Sequence, residues 1–363
     1  MVSSLGAMYL HTRSEIAATA YSSRCDEGGR FLAASVQVGI TASWYGNEAV
    51  SKLLQCSNFP RKMEPKVKWI NVVSIGVMHA VALATLLTIT FWVRWQTILW
   101  GVFVGGVGGF GVTAGVHRLW THRSYRARLP LRILLAICYS VAGQNTIYDW
   151  VRDHRVHHRF SETDADPHNS RRGFFFAHMG WLMQRKHPDV VRCGKLVDMS
   201  DVLEDPVVRF HQKYFTLLKV IFCFAIPVVV PSLLWAESWW YSSLGMGVVR
   251  YTIGLNFTWL VNSAAHIWGT HPYDKRIRPA ESATVAILAM GEGWHNYHHV
   301  FPWDYRAAEL GHYSHNVTTA LIDFFWLLGW AYDLRTVSPD VVRRTVETKG
   351  DGSHPLYERN NRS

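Results

Sequence analysis

The sequence predicts an all-α integral membrane protein with four transmembrane helices in two hairpins and a cytosolic helical cap that holds a histidine-rich di-metal site. Two observations predict this fold class. First, apolar stretches close to the ~20 residues that a helix needs to cross a bilayer occur at about residues 69–93, 97–116, 217–235 and 244–265. Second, a five-residue histidine pattern outside these stretches occurs twice, at residues 154–158 and 295–299.

The composition restricts the class of protein. Of 363 residues, 49% are hydrophobic, and the net charge is +10. In a soluble protein this charge would suggest nucleic acid, but beside long apolar stretches it favours a membrane surface or an anionic substrate head group. The five cysteines are scattered and odd in number, which argues against a disulfide framework and for a reducing compartment.

The chain opens with residues 1–65, which mix Gly, Ser and Arg without a clear period. We expect this N-terminal segment to be cytosolic and partly disordered. Residues 66–335 form the predicted membrane domain, and its first two apolar stretches, joined by a very short link, predict a helical hairpin. The second stretch contains seven glycines between Gly101 and Gly115. Such small residues allow close helix packing, or they leave room for a long apolar ligand.

The later stretches differ in length. Residues 131–142 are apolar but too few to span a bilayer, so they predict a buried or interfacial helix. The third long stretch contains Pro227 and Pro231, which membrane helices tolerate. Residues 321–332 are again too few for a span, and residues 336–363 predict a polar C-terminal tail.

The distribution of charge predicts the orientation in the membrane. The long connection between the second and third spans is rich in Lys and Arg, whereas the two short links have almost none. By the positive-inside rule, the N-terminus, the long connection and the C-terminus face the cytosol. All the histidine groups then lie on the cytosolic side.

The repeated histidine pattern predicts a metal centre. It places imidazoles at i, i+3 and i+4, which share one face of a helix, and neutral imidazole is the commonest protein metal ligand. One copy alone is about as easily explained as a patch of surface histidines. Two copies favour a site assembled from distant parts of the chain, as do two further pairs, His117 with His122 and Asn262 with His266. The candidate ligands are His117, His122, His154, His157, His158, Asn262, His266, His295, His298 and His299.

Ten ligands are too many for one zinc ion, which takes four, and they divide into two sites of four or five with open positions. Nitrogen-rich coordination of this kind suits iron, copper or zinc. The absence of cysteine from the set excludes an iron–sulfur cluster. No carboxylate occupies a matching helical position, so Glu292 is assigned a supporting role. His168 and His178 lack the pattern and are left out of the predicted site.

The segments HRLWTH, HRVHH, NSAAH and GEGWHNYHH resemble the histidine boxes of membrane fatty acyl-CoA desaturases. Residues 144–181, from QNTIYDW to AHMGW, resemble the stearoyl-CoA and acyl-CoA Δ9-desaturase group in particular. The resemblance covers about residues 69–335. It implies an endoplasmic reticulum enzyme that uses O2 to introduce a cis double bond, most commonly at Δ9, into a saturated long-chain acyl-CoA.

The resemblance also implies the cofactors and partners. Two Fe ions would form a di-iron centre. Because the chain has no flavin fingerprint and no fused haem-binding segment, the electrons would come from a separate cytochrome b5 supplied by its NADH-dependent reductase. One iron would be held by His122, His154, His158 and His299 or a close permutation. The other would be held by His117, His157, His266, His295 and His298, with Asn262 acting directly or through water.

Substrate contacts are implied in the same way. The CoA part would lie at the cytosolic surface, where Arg and Lys suit phosphate oxygens. Its expected contacts are Asn71, Asn145, Arg152, Asp153, Arg185 and Lys186, with Trp259 as a further substrate residue. For Arg185 and Lys186, contact with lipid head groups is the competing explanation.

The acyl chain would enter a bent tunnel whose shape is set by Gln144, Trp150 and Thr258. Gly105, Gly106 and Gly109 stand at its deep end, where bulkier residues are common in the family, so we expect long chains to be accepted. Two alternatives remain open at this point. One is a membrane hydroxylase with the same histidine boxes, and the other is a non-catalytic metal-binding membrane protein.

Overall fold

The structure is a computed structural model that describes residues 66–89, 91–309 and 313–356. The predicted N-terminal segment, residues 1–65, lies outside the described residues. The described part belongs to one unit, Asn58–Ser363. It is almost entirely helical, with one short antiparallel pair of strands.

The first two predicted spans form helices. Helix α1 is Trp69–Thr88, and α2 is Trp95–Phe110, which continues without a break as a π-helix, Gly111–Thr121. Leu129–Ala142 forms helix α3, which was predicted as a short buried or interfacial helix. α2 and α3 cross closely because glycines face the backbone of α3. A Cβ atom on Gly111 would lie 2.1 Å from the backbone nitrogen of Tyr139.

Among the described residues, three helices are long and apolar enough to cross a membrane: Trp69–Thr88, Trp95–Thr121 and Pro206–Leu234. They overlap the first three predicted spans. Residues 239–262, which cover most of the fourth predicted span, form a continuous helical run but are not among the three, and the last residues of that span lie beyond its end. Polar residues inside this run, including Arg250 and Asn256, lower its mean hydropathy.

The third and fourth apolar stretches contain π-helical turns. The third consists of α8 Pro206–Leu218, π-helix Lys219–Ala225 and α9 Ile226–Leu234. The fourth consists of α10 Trp239–Ser242, π-helix Ser243–Val249 and α11 Arg250–Asn262. Arg250 is buried and donates to the carbonyl oxygens of Met246 and Cys223, at 2.9 and 2.6 Å. The guanidinium group therefore binds backbone oxygens of both π-helical stretches.

The remaining helices carry the histidines or pack around them. They are α4 Ile147–Phe160, α5 Phe174–His178, α6 Pro188–Gly194, α7 Ser200–Glu204, α12 Ala283–Leu288, α13 His295–Val300, α14 Val317–Leu327 and α15 Pro339–Lys349. Short 3-10 turns cover Ser170–Arg172, Gly180–Met183, Ala264–His266 and Tyr313–His315. The first residue of α4 follows Thr146, whose hydroxyl accepts from Asp149 N and caps the helix at its N-terminus.

The two strands join distant parts of the chain. β1, Arg126–Ala127, pairs antiparallel with β2, Ala331–Tyr332. The largest cluster of buried apolar residues lies under this pairing and includes Tyr125, Leu135, Ile147 and Ile322. The segment that follows the second long helix is thereby held against the segment that follows α14.

The C-terminal segment differs from the predicted polar tail, because residues 339–349 fold as helix α15. Val342 and Val346 are buried against Tyr273, Tyr297 and Phe301. The alternation of charged residues with these two valines makes the segment polar on average while leaving one apolar face.

Candidate metal centre

The first histidine cluster contains five rings from three helical segments. The ligand atoms of His117, His122, His154, His158 and His298 all lie within 4.8 Å of one another. His117 Nε2 is 3.0 Å from His298 Nε2, which in turn is 3.1 Å from His158 Nε2. His154 and His158 approach through the same atoms at 3.1 Å.

The second cluster contains four rings, His157, His266, His295 and His299, whose ligand atoms also lie within 4.8 Å of one another. His295 Nε2 is 2.9 Å from His266 Nε2 and 3.1 Å from His299 Nε2. The HxxHH patterns at 154–158 and 295–299 each contribute rings to both clusters. Both clusters are therefore parts of one centre.

Hydrogen bonding alone does not explain this convergence. A neutral imidazole has one N–H donor and one acceptor nitrogen, so five Nε2 atoms around one point cannot all be paired. His122 Nε2 and His157 Nε2 are buried and have no hydrogen-bond partner among the described residues. Lone pairs that converge in this way fit metal ions, and nitrogen ligands suit iron, copper or zinc.

Burial keeps six of the clustered rings neutral, which metal ligation requires. Burial, reinforced by the neighbouring imidazoles, lowers the pKa well below its usual range for His122, His154, His158, His295, His298 and His299. Protons therefore compete weakly for the ring nitrogens at neutral pH.

The π-helix explains how His117 and His122 reach the same cluster. In an α-helix, two residues five apart point about 140° away from each other. The π-helix has an i→i+5 hydrogen bond, and His122 N donates to His117 O at 3.1 Å. The two rings are consequently only 4.8 Å apart between centroids.

Three buried carboxylates orient ligand rings from behind. Glu292 Oε2 lies 2.7 Å from His117 Nδ1, Asp166 Oδ1 lies 2.9 Å from His157 Nδ1, and Glu162 Oε1 lies 2.9 Å from His266 Nδ1. Asp166 and Glu162 accept from the Nδ1–H groups of His157 and His266, which leaves each Nε2 lone pair free to bind metal, while Glu292 lies in close contact with His117 Nδ1. This arrangement agrees with the supporting role predicted for Glu292.

Burial raises the pKa of these carboxylates, but the neighbouring basic side chains lower it by more. Burial opposes ionisation of Glu292, but Arg118 and His117 hold its pKa below the usual range. Arg118 is itself buried, and its Nε donates to Glu292 Oε1 at 3.0 Å. For Asp166, contacts with His157 and His168 outweigh burial and lower the pKa to about 2.

His168 was left out of the predicted site, but it lies beside it. Its ring centroid is 4.3 Å from that of His157, and its Nδ1 is 3.6 Å from Asp166 Oδ1. The sequence signal for this group is the acidic segment 162–168, directly after the first HxxHH pattern. Within this turn, Asp166 also accepts from the backbone N–H groups of Glu162 and His168.

The grouping of the rings differs from the division that the resemblance implied. His117 and His298 lie with His122, His154 and His158, while His299 lies with the second cluster. Helical spacing shows which rings share a face, but not which of two neighbouring clusters each ring reaches. Asn262, at the end of α11, borders the cavity described below, together with His117 and His154.

Three of the residues expected to contact CoA form one charged group at the surface. Lys186 Nζ donates to both carboxylate oxygens of Asp153, and Arg152 Nη2 lies 3.1 Å from Asp153 Oδ1. Arg185 directly precedes Lys186 and is exposed, as is Asn145. Asn71 instead donates from Nδ2 to the carbonyl oxygen of Leu182 at 2.7 Å.

An apolar cavity of about 540 Å³ runs from His117 and His154 to the glycines of α2. Gly101, Gly105, Gly106 and Gly109 are among its lining residues. A Cβ atom on Gly105 or Gly106 would meet nothing within 4 Å, whereas one on Gly109 would lie 2.6 Å from Met290 Sδ. Open space therefore lies beside Gly105 and Gly106, which are exposed and border the cavity, whereas Met290 occupies the space beside Gly109.

The three residues predicted to shape the tunnel form a chain of hydrogen bonds beside this cavity. Trp150 Nε1 donates to Gln144 Oε1 at 3.0 Å, and Gln144 Nε2 donates to Thr258 Oγ1 at 2.9 Å. The Trp150 ring also stacks on His154, with centroids 4.8 Å apart. The cavity wall is thus connected directly to the first cluster.

Comparison with known proteins gives a consistent result. Residues 90–322 match the family model described as fatty acid desaturase. The chain is 52% identical over 306 residues to an acyl-CoA Delta-9 desaturase of Acheta domesticus, covering 83% of this chain and 85% of that protein. It is 50% identical over 293 residues to human stearoyl-CoA desaturase 5, with 81% and 88% covered. It is also 49% identical over 294 residues to an acyl-CoA Delta(11) desaturase of Spodoptera littoralis, with 81% and 86% covered.

Proposed function

The chain belongs to the fatty acid desaturase family, and we propose that it introduces a cis double bond into a saturated long-chain fatty acyl-CoA, at Δ9. The reaction removes two hydrogen atoms from adjacent methylene carbons and uses O2 and two external electrons. The observation that carries the proposal is the pair of histidine clusters at the end of an apolar cavity within glycine-rich helices.

We propose that the two clusters hold two iron ions, with His117, His122, His154, His158 and His298 at one and His157, His266, His295 and His299 at the other. Asn262 would complete the second, directly or through water. Iron at these positions would supply O2 activation. The role of the protein is then to keep the ring nitrogens unprotonated, to fix their orientation through Glu292, Asp166 and Glu162, and to exclude water from the apolar cavity.

We propose that the charged group at the surface binds the CoA phosphates and adenine while the acyl chain occupies the cavity. Arg152, Arg185 and Lys186 supply positive charge, and Asp153 holds Arg152 and Lys186 in place. The chain Trp150–Gln144–Thr258 forms the wall at the cavity mouth, with Trp259 next to it. Fixed placement of the chain against the clusters would determine which carbons react.

The Δ9 position is the most specific part of this proposal. Relatives of similar identity carry the names Delta-9 and Delta(11) desaturase, and both fit the same histidine clusters. We favour Δ9 because residues 144–181 resemble the Δ9 group in particular, and because a relative that is 52% identical over 306 residues carries the name Delta-9 desaturase.

We assign residues 66–335 to the membrane domain, in the endoplasmic reticulum, with a fourth span at about residues 244–265. Both termini would face the cytosol, where cytochrome b5 and its NADH-dependent reductase would supply electrons. The basic connection between the second and third spans supports this orientation through the positive-inside rule.

The experiment that tests the function is expression in a yeast strain that lacks its own desaturase, followed by fatty-acid profiling with location of the double bond. Growth without added unsaturated fatty acid, together with Δ9 products, is the expected result. Hydroxylated products, or saturated chains only, would overturn the proposal, and products unsaturated only at another carbon would overturn the Δ9 assignment.

Chain length is set, we propose, by the space beside Gly105, which suits acyl chains of about 18 carbons or more. Gly105→Phe would fill this space and shift the products towards shorter chains, as would Gly109→Phe, with displacement of Met290. The matched control is Gly76→Phe, on a neighbouring helix with no atom within 4 Å of its Cβ position. Product lengths unchanged in both tunnel variants would contradict this assignment.

A further inference from the structure

Two histidines outside the metal clusters belong to a polar network that crosses three helices. His79 on α1 lies 3.0 Å, through Nε2, from Asn256 Nδ2 on α11. Asn256 Oδ1 lies 3.0 Å from His178 Nε2 on α5, and His178 Nδ1 lies 2.9 Å from the hydroxyl oxygen of Ser263. We call these four residues the Asn256 network.

The direction of the hydrogen bonds in the Asn256 network follows from the contacts of His79. His79 Nδ1 lies 2.8 Å from the carbonyl oxygen of Ile75 and must donate to it. In the neutral ring, Nε2 is then an acceptor, so it accepts from the amide of Asn256. The other side of the amide is Oδ1, which accepts from His178 Nε2–H. The second amide hydrogen of Asn256 is donated to Thr252 O at 2.8 Å. Asn256 therefore occupies one orientation only.

The two histidine rings of the network enclose Trp259. The His79 ring stacks on the Trp259 indole at a centroid distance of 6.1 Å and an interplanar angle of 23°. The His178 ring approaches the same indole edge-on, at 5.7 Å and 80°. Trp259 is only 5% exposed. Because Asn256 connects both rings, it fixes the indole from two sides without contacting it through a hydrogen bond.

The network also ends close to the metal centre. The Ser263 hydroxyl lies 2.8 Å from Trp259 O, and Ser263 O accepts from the backbone N–H of His266 at 3.1 Å. Thr258, which closes the hydrogen-bonded wall of the cavity, immediately precedes Trp259 along α11. The Asn256 side chain thus connects α1 with α5, and through His178 it connects to the segment that runs from Ser263 to His266 of the second cluster.

We propose that Asn256 is a positioning residue that fixes the placement of the acyl chain through His79, His178 and Trp259. This inference rests on the proposed desaturase function. It assigns to the Asn256 network a part in selecting the carbon pair that reacts, separate from the residues that bind CoA and from the ligands of the clusters.

The test compares Asn256→Leu with Thr252→Val in the full-length protein, with stearoyl-CoA as the probe and cytochrome b5 and its reductase as electron source. Thr252→Val removes a hydroxyl that, among the described residues, donates to Val248 O, in the π-helix directly before α11. For Asn256→Leu we expect kcat to fall on the order of tenfold to a hundredfold, with additional double-bond positions in the product. We expect an unchanged KM, because Arg152, Asp153 and Lys186 are untouched.

Metal content is measured in the same samples and should equal that of Thr252→Val. A product distribution and kcat equal to those of Thr252→Val would overturn the proposal, as would an effect on KM alone. Loss of metal would also overturn it, because the effect would then lie at the clusters. Should Asn256→Leu fail to accumulate, His79→Leu breaks the same bond from the other helix and carries the same test.

If the unaltered protein gives no unsaturated product, the proposed function fails, and the network is judged by thermal unfolding instead. The double variant His79→Leu/Asn256→Leu should then lose less stability than the sum of the two single variants, because the single changes remove a shared bond. If the stability losses of the two single variants added up to that of the double variant, His79 and Asn256 would not be coupled, and the proposal would be overturned.

Discussion

Glu292 lies between a buried arginine and a buried histidine of the first cluster. Its two carboxylate oxygens face His117 and Arg118, whose side chains are 5% and 1% exposed. Removal of the negative charge would leave Arg118 in the interior without its ionic partner, a costly state. It would also weaken the carboxylate–imidazole contact that orients His117.

For Glu292→Gln we therefore expect metal affinity to fall by about 10- to 100-fold, measured as metal retained during titration with a chelator. The matched control is Glu309→Gln, because Glu309 also pairs with a buried histidine, His354, which lies outside both clusters. Equal retention in the two variants would show that Glu292 does not support the metal.

Glu281 predicts a pH dependence of stability. Its carboxylate accepts from the backbone N–H of Tyr297 at 2.7 Å, in the helix that carries the last histidine pattern. Burial raises the pKa of Glu281 from 4.5 to about 8. Between these two values the folded protein retains a proton that the unfolded chain has released. The free energy of unfolding therefore falls as pH rises through this window, by up to about 1.4 kcal/mol per pH unit.

Glu281→Gln removes this contribution, so its stability relative to the unaltered protein should rise between pH 5 and pH 8. Thermal unfolding in detergent micelles at several pH values measures the difference. Parallel curves for the two proteins would contradict the assignment. The exposed Glu204→Gln provides the control, since an exposed carboxylate has no comparable burial penalty.

At this scale the sequence predicts the clustered histidines better than the residues that support them. Repetition of the i, i+3, i+4 pattern identifies rings such as His154 and His298 because the pattern itself is the signal. Asp166 and His168 carry no such periodicity. Their position behind His157 depends on the fold of the turn at 162–168, which spacing alone does not define.

The unusual element is the π-helix that carries His117 and His122. Its first residue, Gly111, faces α3 so closely that a Cβ atom would lie 2.1 Å from Tyr139 N and 2.3 Å from Cys138 C. Both are backbone atoms, which cannot move without shifting α3. The π-helix thus begins at the glycine that packs against α3, six residues before His117.

Gly111→Ala should therefore destabilise the protein by about 1–3 kcal/mol or more and reduce the metal held at the first cluster. Gly76→Ala is the control, since its Cβ would meet no atom within 4 Å and alanine favours a helix. Thermal unfolding and metal analysis of both variants measure the two effects. Stability of Gly111→Ala equal to that of Gly76→Ala would refute the packing argument.

Helix existence is predictable from apolar stretches, but helix type is not. The stretch 97–116 predicts a span that ends before His117, whereas the helix extends to Thr121. An α-helical period places His117 and His122 on different sides, and only the i→i+5 turn aligns them. In the fourth stretch, hydropathy alone underestimates the helix. Arg250 and Asn256 lower the mean hydropathy, yet both side chains make hydrogen bonds inside the fold and the stretch is helical.

For the whole molecule, the two clusters predict two bound metal ions per chain. Elemental analysis of active protein should give this ratio, and chelation should lower the temperature of unfolding because metal binds only the folded arrangement. His157→Ala should retain fewer ions, while His271→Gln, outside both clusters, should retain both. A ratio below two in active material would exclude a paired centre.

For the whole molecule, the sequence predicts that distant histidines come together, and the two clusters confirm this convergence. The distribution of rings between clusters was not predictable, because it depends on how two HxxHH helices are rotated against each other. The fold of residues 339–349 was also missed, since average polarity obscured the two buried valines.

The C-terminal helix has a practical consequence for work with this protein. Val342 and Val346 pack against Tyr297, which lies between His295 and His298 on the same short helix. The backbone at Lys349 and Asp351 bonds to residues 275 and 271. Because Asp351 bonds to residue 271 and His354 is buried, a reporter or purification handle inserted before residue 357 would disturb these contacts, so labels belong after residue 356.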